Sequence, residues 1–265
     1  MFQSPGGIAL ELGPITIHWY GILIATAFLV GLFICRKVAK DKNENPDNFT
    51  DMATLILIFA VIGARLYYVL FNLNTYSNDW IDVFKIWQGG LAIHGGIIGG
   101  LIAGLIYTRH KKLSFAKYCD ITSVGLVLAQ AIGRWGNFFN SEAFGTPTDL
   151  PWKLFIPYTN RPLDYLNYDY FHPTFLYESI WDVSIFLLLF FVLRKKLDHL
   201  NGALFFCYLG LYSTGRFFIE GLRTDSLMMT EHLRTAQVVS LTCVVISIVA
   251  VLFIYKKNKA LKTEE

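Results

Sequence analysis

The sequence predicts an all-α polytopic membrane protein with seven transmembrane helices. The N-terminus is expected outside, the C-terminus in the cytoplasm, and the extracytoplasmic loops should form a small cap. Three observations predict this. Of 265 residues, 54% are hydrophobic and only 16% charged, against about 25% charged in a typical soluble protein. The apolar residues fall in runs of roughly 20, the length that crosses a bilayer as a helix. Basic residues crowd into alternate connections between those runs, as the positive-inside rule requires.

The runs cover residues 17–35, 51–71, 89–108, 120–139, 173–193, 202–219 and 236–255. No Lys or Arg precedes the first run, so it lacks a secretory n-region and is expected to be a retained span. One set of connections carries Arg36, Lys37, Lys40, Lys42, Arg109, Lys111, Lys112, Lys117, Arg194, Lys195, Lys196, Lys256, Lys257, Lys259 and Lys262. The opposite set carries only Lys85, Lys153, Arg161, Arg223 and Arg234. The richer set is assigned to the cytoplasm. The whole chain, 1–265, is then expected to be one integral-membrane domain, with its site toward the extracytoplasmic side.

Three basic residues remain inside spans: Arg65, Arg134 and Arg216. Each falls near the outer end of its span; at 1.5 Å per residue Arg216 lies about 5 Å below it. Snorkelling explains one such arginine. Three at similar depth suggest a shared anionic partner. His94 in the third span, Glu178 in the fifth and Tyr20 in the first fall at the same level. Glu178 must there be protonated or paired, with an arginine as its natural partner.

The third span carries glycines at four-residue steps, Gly95/Gly99 and Gly96/Gly100/Gly104. That spacing lets another helix approach closely, so packing is their expected main role. The fourth span ends in the stretch from Gly133 through Arg134, Trp135, Gly136, Asn137, Asn140 and Glu142 to Gly145. Asn137 and Asn140 follow Arg134 near one helix face, and the chain should leave the helix after Asn140. The sixth span ends with Arg216, Glu220 and Arg223 at i, i+4 and i+7. Gly221 leaves open whether the helix reaches Arg223. The outer loops 72–88 and 140–172 are long enough to be binding loops.

Guanidinium groups recognise phosphate through paired planar hydrogen bonds. Arginines at headgroup depth therefore suit a phospholipid headgroup, and His94 is suited to moving a proton. The six histidines make no HExxH and the four cysteines no CxxC, so neither a metal site nor a disulfide framework is expected. No cofactor fingerprint is present. The net charge of +3 is no nucleic-acid signal.

These residues carry a resemblance. The stretch 133–145 resembles the signature of the bacterial prolipoprotein diacylglyceryl transferases. So do His18-Trp19-Tyr20-Gly21, His94-Gly95-Gly96, His172-Pro173-Thr174 with Leu176-Tyr177-Glu178, and Arg216-Phe217 with Glu220 and Arg223. Many members carry Ala-Pro where Ser123-Val124 stand here, which puts a kink in the fourth span in doubt but not the chemistry. The resemblance implies transfer of the diacylglyceryl group of phosphatidylglycerol to the lipobox cysteine of a prolipoprotein signal peptide. A thioether forms and glycerol phosphate leaves. Under that reading Arg134 and Arg216 hold the phosphate. His94, or Tyr20 if the histidine is structural, helps deprotonate the thiol. Asn137, Asn140, Glu142 and Gly145 bind or orient the headgroup or its loop, and Glu178, Glu220 and Arg223 fix the arginines. The competing class is an anion or lipid transporter with an outward-facing arginine-lined site.

Overall fold

A computed structural model describes residues 2–76, 80–229 and 233–264. His232 lies outside the described residues. The chain divides into two compact units, residues 35–118 and residues 1–34 with 119–265. The division falls within two helices.

Helices dominate. They are α1 (Trp19–Asp41), α2 (Asp47–Phe71), α3 (Ile93–His110), α4 (Phe115–Asn140), α5 (Thr174–Leu187), α6 (Arg194–Lys196), α7 (Ala203–Glu220) and α8 (Thr235–Glu264). A π-helical turn, Leu188–Leu193, joins α5 to the short α6, so Thr174–Lys196 forms one apolar stretch. Among the described residues five stretches are long and apolar enough to cross a membrane: α1, α2, α4, Thr174–Lys196 and Thr235–Leu261. The two other long helices are diluted by residues the sequence singled out. In α3 these are the glycines, His94, Arg109 and His110; in α7 they are Arg216 and Glu220.

Hydropathy and burial run in opposite directions. Helix α8, the most apolar of the five, has 11% of its apolar stretch buried, whereas α4, the least apolar, has 44%. An apolar surface facing outward and polar groups turned inward is what hydrocarbon as solvent selects, because an exposed polar group there is costly. Exposed Val245, Ile248, Val249, Leu252 and Phe253 on α8 fit that pattern.

In the unit of residues 35–118, α2 packs on α3 through the glycine spacing. A Cβ on Gly95 would sit 2.2 Å from the Gly63 carbonyl oxygen, and one on Gly99 2.2 Å from that of Phe59. The Gly95/Gly99 row makes the close approach, while a Cβ on Gly96 would meet nothing nearer than 3.6 Å.

In the other unit α4 runs unbroken past Ser123 and Val124. Its Asp120, 1% exposed, caps a different helix: Oδ2 accepts from Gly202 N at 2.6 Å and Oδ1 from Phe205 N at 2.8 Å. Those are orphan donors of the first turn of α7, and a carboxylate there also opposes the helix dipole. The same unit holds strands that apolar periodicity did not predict. A hairpin joins β2 (Ile8–Leu12) to β3 (Ile15–His18). Strand β1 (Phe2–Gln3) pairs parallel with β4 (Leu154–Phe155), which pairs antiparallel with β5 (Tyr170–Phe171). Their side chains join a cluster of Phe138, Phe144, Leu154, Ile156, Phe171 and Phe175. The 140–172 segment is thus folded onto the ends of α4 and α5 by its own aromatic core.

Candidate active site

Glu178 organises the site. It is the fifth residue of α5, follows the Pro173 N-cap and is 5% exposed. Its Oε2 accepts from Arg134 Nε of α4 at 2.8 Å, and its Oε1 accepts from Arg216 Nη1 of α7. One buried carboxylate thus bridges arginines from two helices. Arg216 Nη2 lies 2.5 Å from Glu220 Oε2, one turn further along α7. Arg134 Nη2 donates to the Tyr212 hydroxyl at 2.9 Å. Charge-assisted bonds of this kind, shielded from water, are the strong ones.

Helix α7 stops at Glu220, with Gly221 as its C-cap, so Arg223 leaves the helical stripe. It stands 4.0 Å from Glu178 Oε1 and forms a fork with Asp225 at 2.8 and 2.7 Å. Burial alone would raise the Asp225 pKa, but the Arg223 bonds outweigh it and hold the carboxyl below its usual range. Burial acts oppositely on Arg223, whose charge the same bonds stabilise.

The stretch after α4 is tied into this arrangement. Ser141 and Ala143 have φ of +52° and +56°, a left-handed conformation that costs a non-glycine residue roughly 1 kcal/mol or more. The turn is held from several sides. Thr174 Oγ1 donates to the Ala143 carbonyl, Thr146 N donates to Leu222 O at 2.8 Å, and Gly145 N donates to His172 O at 2.9 Å. Gly145 bridges to Arg223. A Cβ there would meet the His172 side chain at 2.7 Å, so the close approach requires glycine. His172 Nδ1 lies 3.1 Å from the Tyr177 hydroxyl, and burial lowers its pKa.

The two asparagines converge on Glu142. Asn137 Nδ2 donates to its Oε1 at 3.0 Å and Asn140 Nδ2 at 3.4 Å. Glu142 is exposed and lies in the turn after α4. Tyr20 packs beside this stretch, its ring 2.6 Å from where a Cβ on Gly136 would stand. Trp19 stacks on Phe139 with centroids 4.8 Å apart.

Two expected residues sit in the unit of residues 35–118. His94 is exposed near the start of α3 and stacks on Tyr67 at 5.8 Å. Arg65, which depth groups with Arg134 and Arg216, spends its hydrogen bonds on the backbone instead. It is 7% exposed and its guanidinium donates to four carbonyls: Val83 at 2.7 Å, Asp82 at 2.6 Å, Gly89 at 2.8 Å and Gly90 at 3.0 Å. Its place is structural, pinning the segment that leads into α3.

The sequence reading missed Tyr212, Asp225 and Asp182. Helical spacing marks two of them. Tyr212 is four residues before Arg216 and Asp182 four after Glu178, and i±4 neighbours share a helix face. Asp225 lies beyond the helix, where no periodic signal reaches.

A profile described as prolipoprotein diacylglyceryl transferase matches residues 7–253. The chain is 50% identical over 265 residues to a phosphatidylglycerol–prolipoprotein diacylglyceryl transferase of Nostoc sp., covering 98% of this chain and 93% of that one. It is 48% identical to its namesake in Synechocystis sp., with 98% and 93% covered. The counterpart in Thermosynechococcus vestitus is also 48% identical, with 98% and 96% covered. Profile and relatives extend across both compact units and over every residue of the arginine–glutamate network, and the chain belongs to the prolipoprotein diacylglyceryl transferase family.

Proposed function

We propose that this chain transfers the diacylglyceryl group of phosphatidylglycerol to the lipobox cysteine of a prolipoprotein, at the extracytoplasmic face of a bacterial membrane. The observation that carries the site assignment is Glu178 bridging Arg134 and Arg216. Arg134 commits Nε to Glu178 and Nη2 to Tyr212, which leaves the hydrogens of Nη1 for phosphate oxygens. Held from two sides, the guanidinium is oriented before the lipid arrives.

In the reaction the cysteine sulfur attacks the glyceryl carbon, the carbon–oxygen bond to phosphate breaks, and glycerol phosphate leaves with that oxygen. Charge grows on the phosphate as the bond breaks, and fixed donors aimed at it lower the barrier. The thiol gives its proton to a base, because at a pKa of roughly 8.5 little thiolate exists at neutral pH. His94 and Tyr20 are the two candidates, both exposed; the His94-Gly95-Gly96 motif favours the histidine. Asn137, Asn140 and Glu142 orient the headgroup or its loop, with Gly145 holding the turn beside Arg223. Glu178, Glu220 and Arg223 keep the arginines in register.

The topology follows the charge pattern: seven spans, with α3 and α7 joining the five strongly apolar stretches, N-terminus outside and C-terminus inside. That orientation puts the strand cluster of residues 140–172 outside as a cap. The profile runs through both units, which supports reading the chain as one catalytic domain.

The test is purified protein in lipid with phosphatidylglycerol and a lipobox peptide. A diacylglyceryl mass gain on the peptide thiol supports transfer; movement of intact lipid without a covalent product points to a transporter. For the base, His94→Gln should depress activity and flatten its pH profile. An unchanged profile removes His94 from that role.

A further inference from the structure

One acid in this unit is not used by the scheme above. Asp182 lies on α5 one turn beyond Glu178 and is 1% exposed. Its Oδ2 is buried without a hydrogen-bond partner among the described residues. Asp182 lines a small cavity of about 10 Å³ together with Arg134, Glu178, Tyr212, Gly215 and Arg216. A cavity of roughly 10–15 Å³ holds one water where two to four polar partners reach it.

The expense of this acid asks for a use. A buried polar oxygen left unsatisfied is costly, and a leucine would fill similar space without that cost. Charge balance does not require it. Arg134, Arg216 and Arg223 already stand against Glu178, Glu220 and Asp225. What the position does offer is reach. The carboxyl shares its cavity with Arg134 and with Tyr212, whose hydroxyl accepts from Arg134 Nη2. Gly215 helps make the space: a Cβ there would stand 2.2 Å from Trp181 Nε1, which donates to Leu211 O at 2.9 Å.

We propose that Asp182 is a positioning residue for the phosphate-binding arginine, linked through one water in this cavity to Tyr212 and Arg134. The inference rests on the phosphate-clamp reading above. Glu178 fixes Arg134 at Nε, and the Asp182–water–Tyr212 link fixes the neighbouring Nη2 of the same guanidinium. A group held at two nitrogens has one orientation left to offer the lipid.

The experiment separates this from simple packing. In the full chain reconstituted in lipid, Asp182→Leu should raise KM for phosphatidylglycerol about tenfold, with KM for the lipobox peptide unchanged. Asp182→Asn keeps a hydrogen-bonding group of the same size and should stay within about threefold of wild type. Combined with Tyr212→Phe, Asp182→Leu should add less than its separate effect, because both residues act through one link. If Asp182→Leu does not fold, the Asp182→Ala/Tyr212→Phe cycle decides: coupling supports the link and additivity overturns it. An Asp182→Leu enzyme with both KM values within about twofold of wild type overturns it too. So does a fall in melting temperature with phosphatidylglycerol KM unmoved. Arg134→Lys distinguishes the layers: if it is inactive while Asp182→Leu is indifferent, only the present inference fails.

Discussion

Glu178→Gln is the substitution with the widest expected effect. The carboxylate serves two arginines, one on each oxygen. A glutamine presents one acceptor and one NH2, and the NH2 would face a guanidinium that can only donate. One charge-assisted bond is therefore lost and the other reduced to a neutral acceptor. Each such bond contributes about 1.5–3 kcal/mol, and removing one partner of a buried ion pair costs about 3–5 kcal/mol. With the Arg134 and Arg216 side chains 20% exposed and Glu178 6%, the lower end, about 3 kcal/mol, is appropriate. In purified protein this should appear as a melting temperature lower by roughly 5–10 °C. Loss of orientation at both arginines should reduce kcat for thioether formation about a hundredfold or more. Differential scanning fluorimetry and peptide mass spectrometry on one preparation read both. A variant that melts within about 2 °C of wild type and retains activity within about threefold would refute the bridge as the organising contact.

Further outcomes follow from the same contacts. Asp120→Ala orphans two amides at the start of α7 and should cost about 2 kcal/mol, read as a lower melting temperature with kcat per folded molecule preserved. Arg65→Lys replaces a planar donor set with one ammonium that cannot serve four carbonyls; faster proteolysis within residues 72–92 is expected, and unchanged proteolysis contradicts the pinning role. Asp225 has a folded pKa below its unfolded value. Its contribution is therefore complete above the unfolded pKa and lost as pH falls through the folded one. Asp225→Asn should melt lower near neutral pH and lose part of the wild type's acid sensitivity, measured by melting temperature from pH 7 to pH 3 or thereabouts.

Helix positions were legible in the sequence because hydrocarbon demands long apolar runs, and the seven runs coincide with long helices to within several residues. The ends shifted where local chemistry outweighs hydropathy. Helix α1 continues through Arg36 and Lys37 to Asp41, and α8 through its lysines, because such side chains are good helix formers that can leave the apolar layer. Gly89 and Gly90, with φ of +90° and +73°, delay the start of α3 to Ile93. The small strands were not legible: two-residue pairings such as Leu154–Phe155 with Tyr170–Phe171 carry no alternation to detect. In the site, the expectation that an intramembrane Glu needs an arginine identified the partners of Glu178. It could not say that one carboxylate would bridge two helices. Nor could spacing follow Arg223 past Gly221, where it leaves the Arg216–Glu220 stripe and turns to Asp225. Arg65 shows the reverse error: depth alone grouped it with Arg134 and Arg216, whereas its hydrogen bonds go to backbone carbonyls.

The central claim is that Arg134 and Arg216, each oriented by Glu178, hold the phosphate of phosphatidylglycerol with the donors that remain. The direct measurement is thioether formation on a lipobox peptide by purified Arg134→Lys and Arg216→Lys in phosphatidylglycerol-containing lipid. Lysine keeps the positive charge but loses the planar fork. The account predicts that each variant folds and loses about a hundredfold or more in kcat/KM. Near-normal diacylglyceryl transfer by both would contradict it.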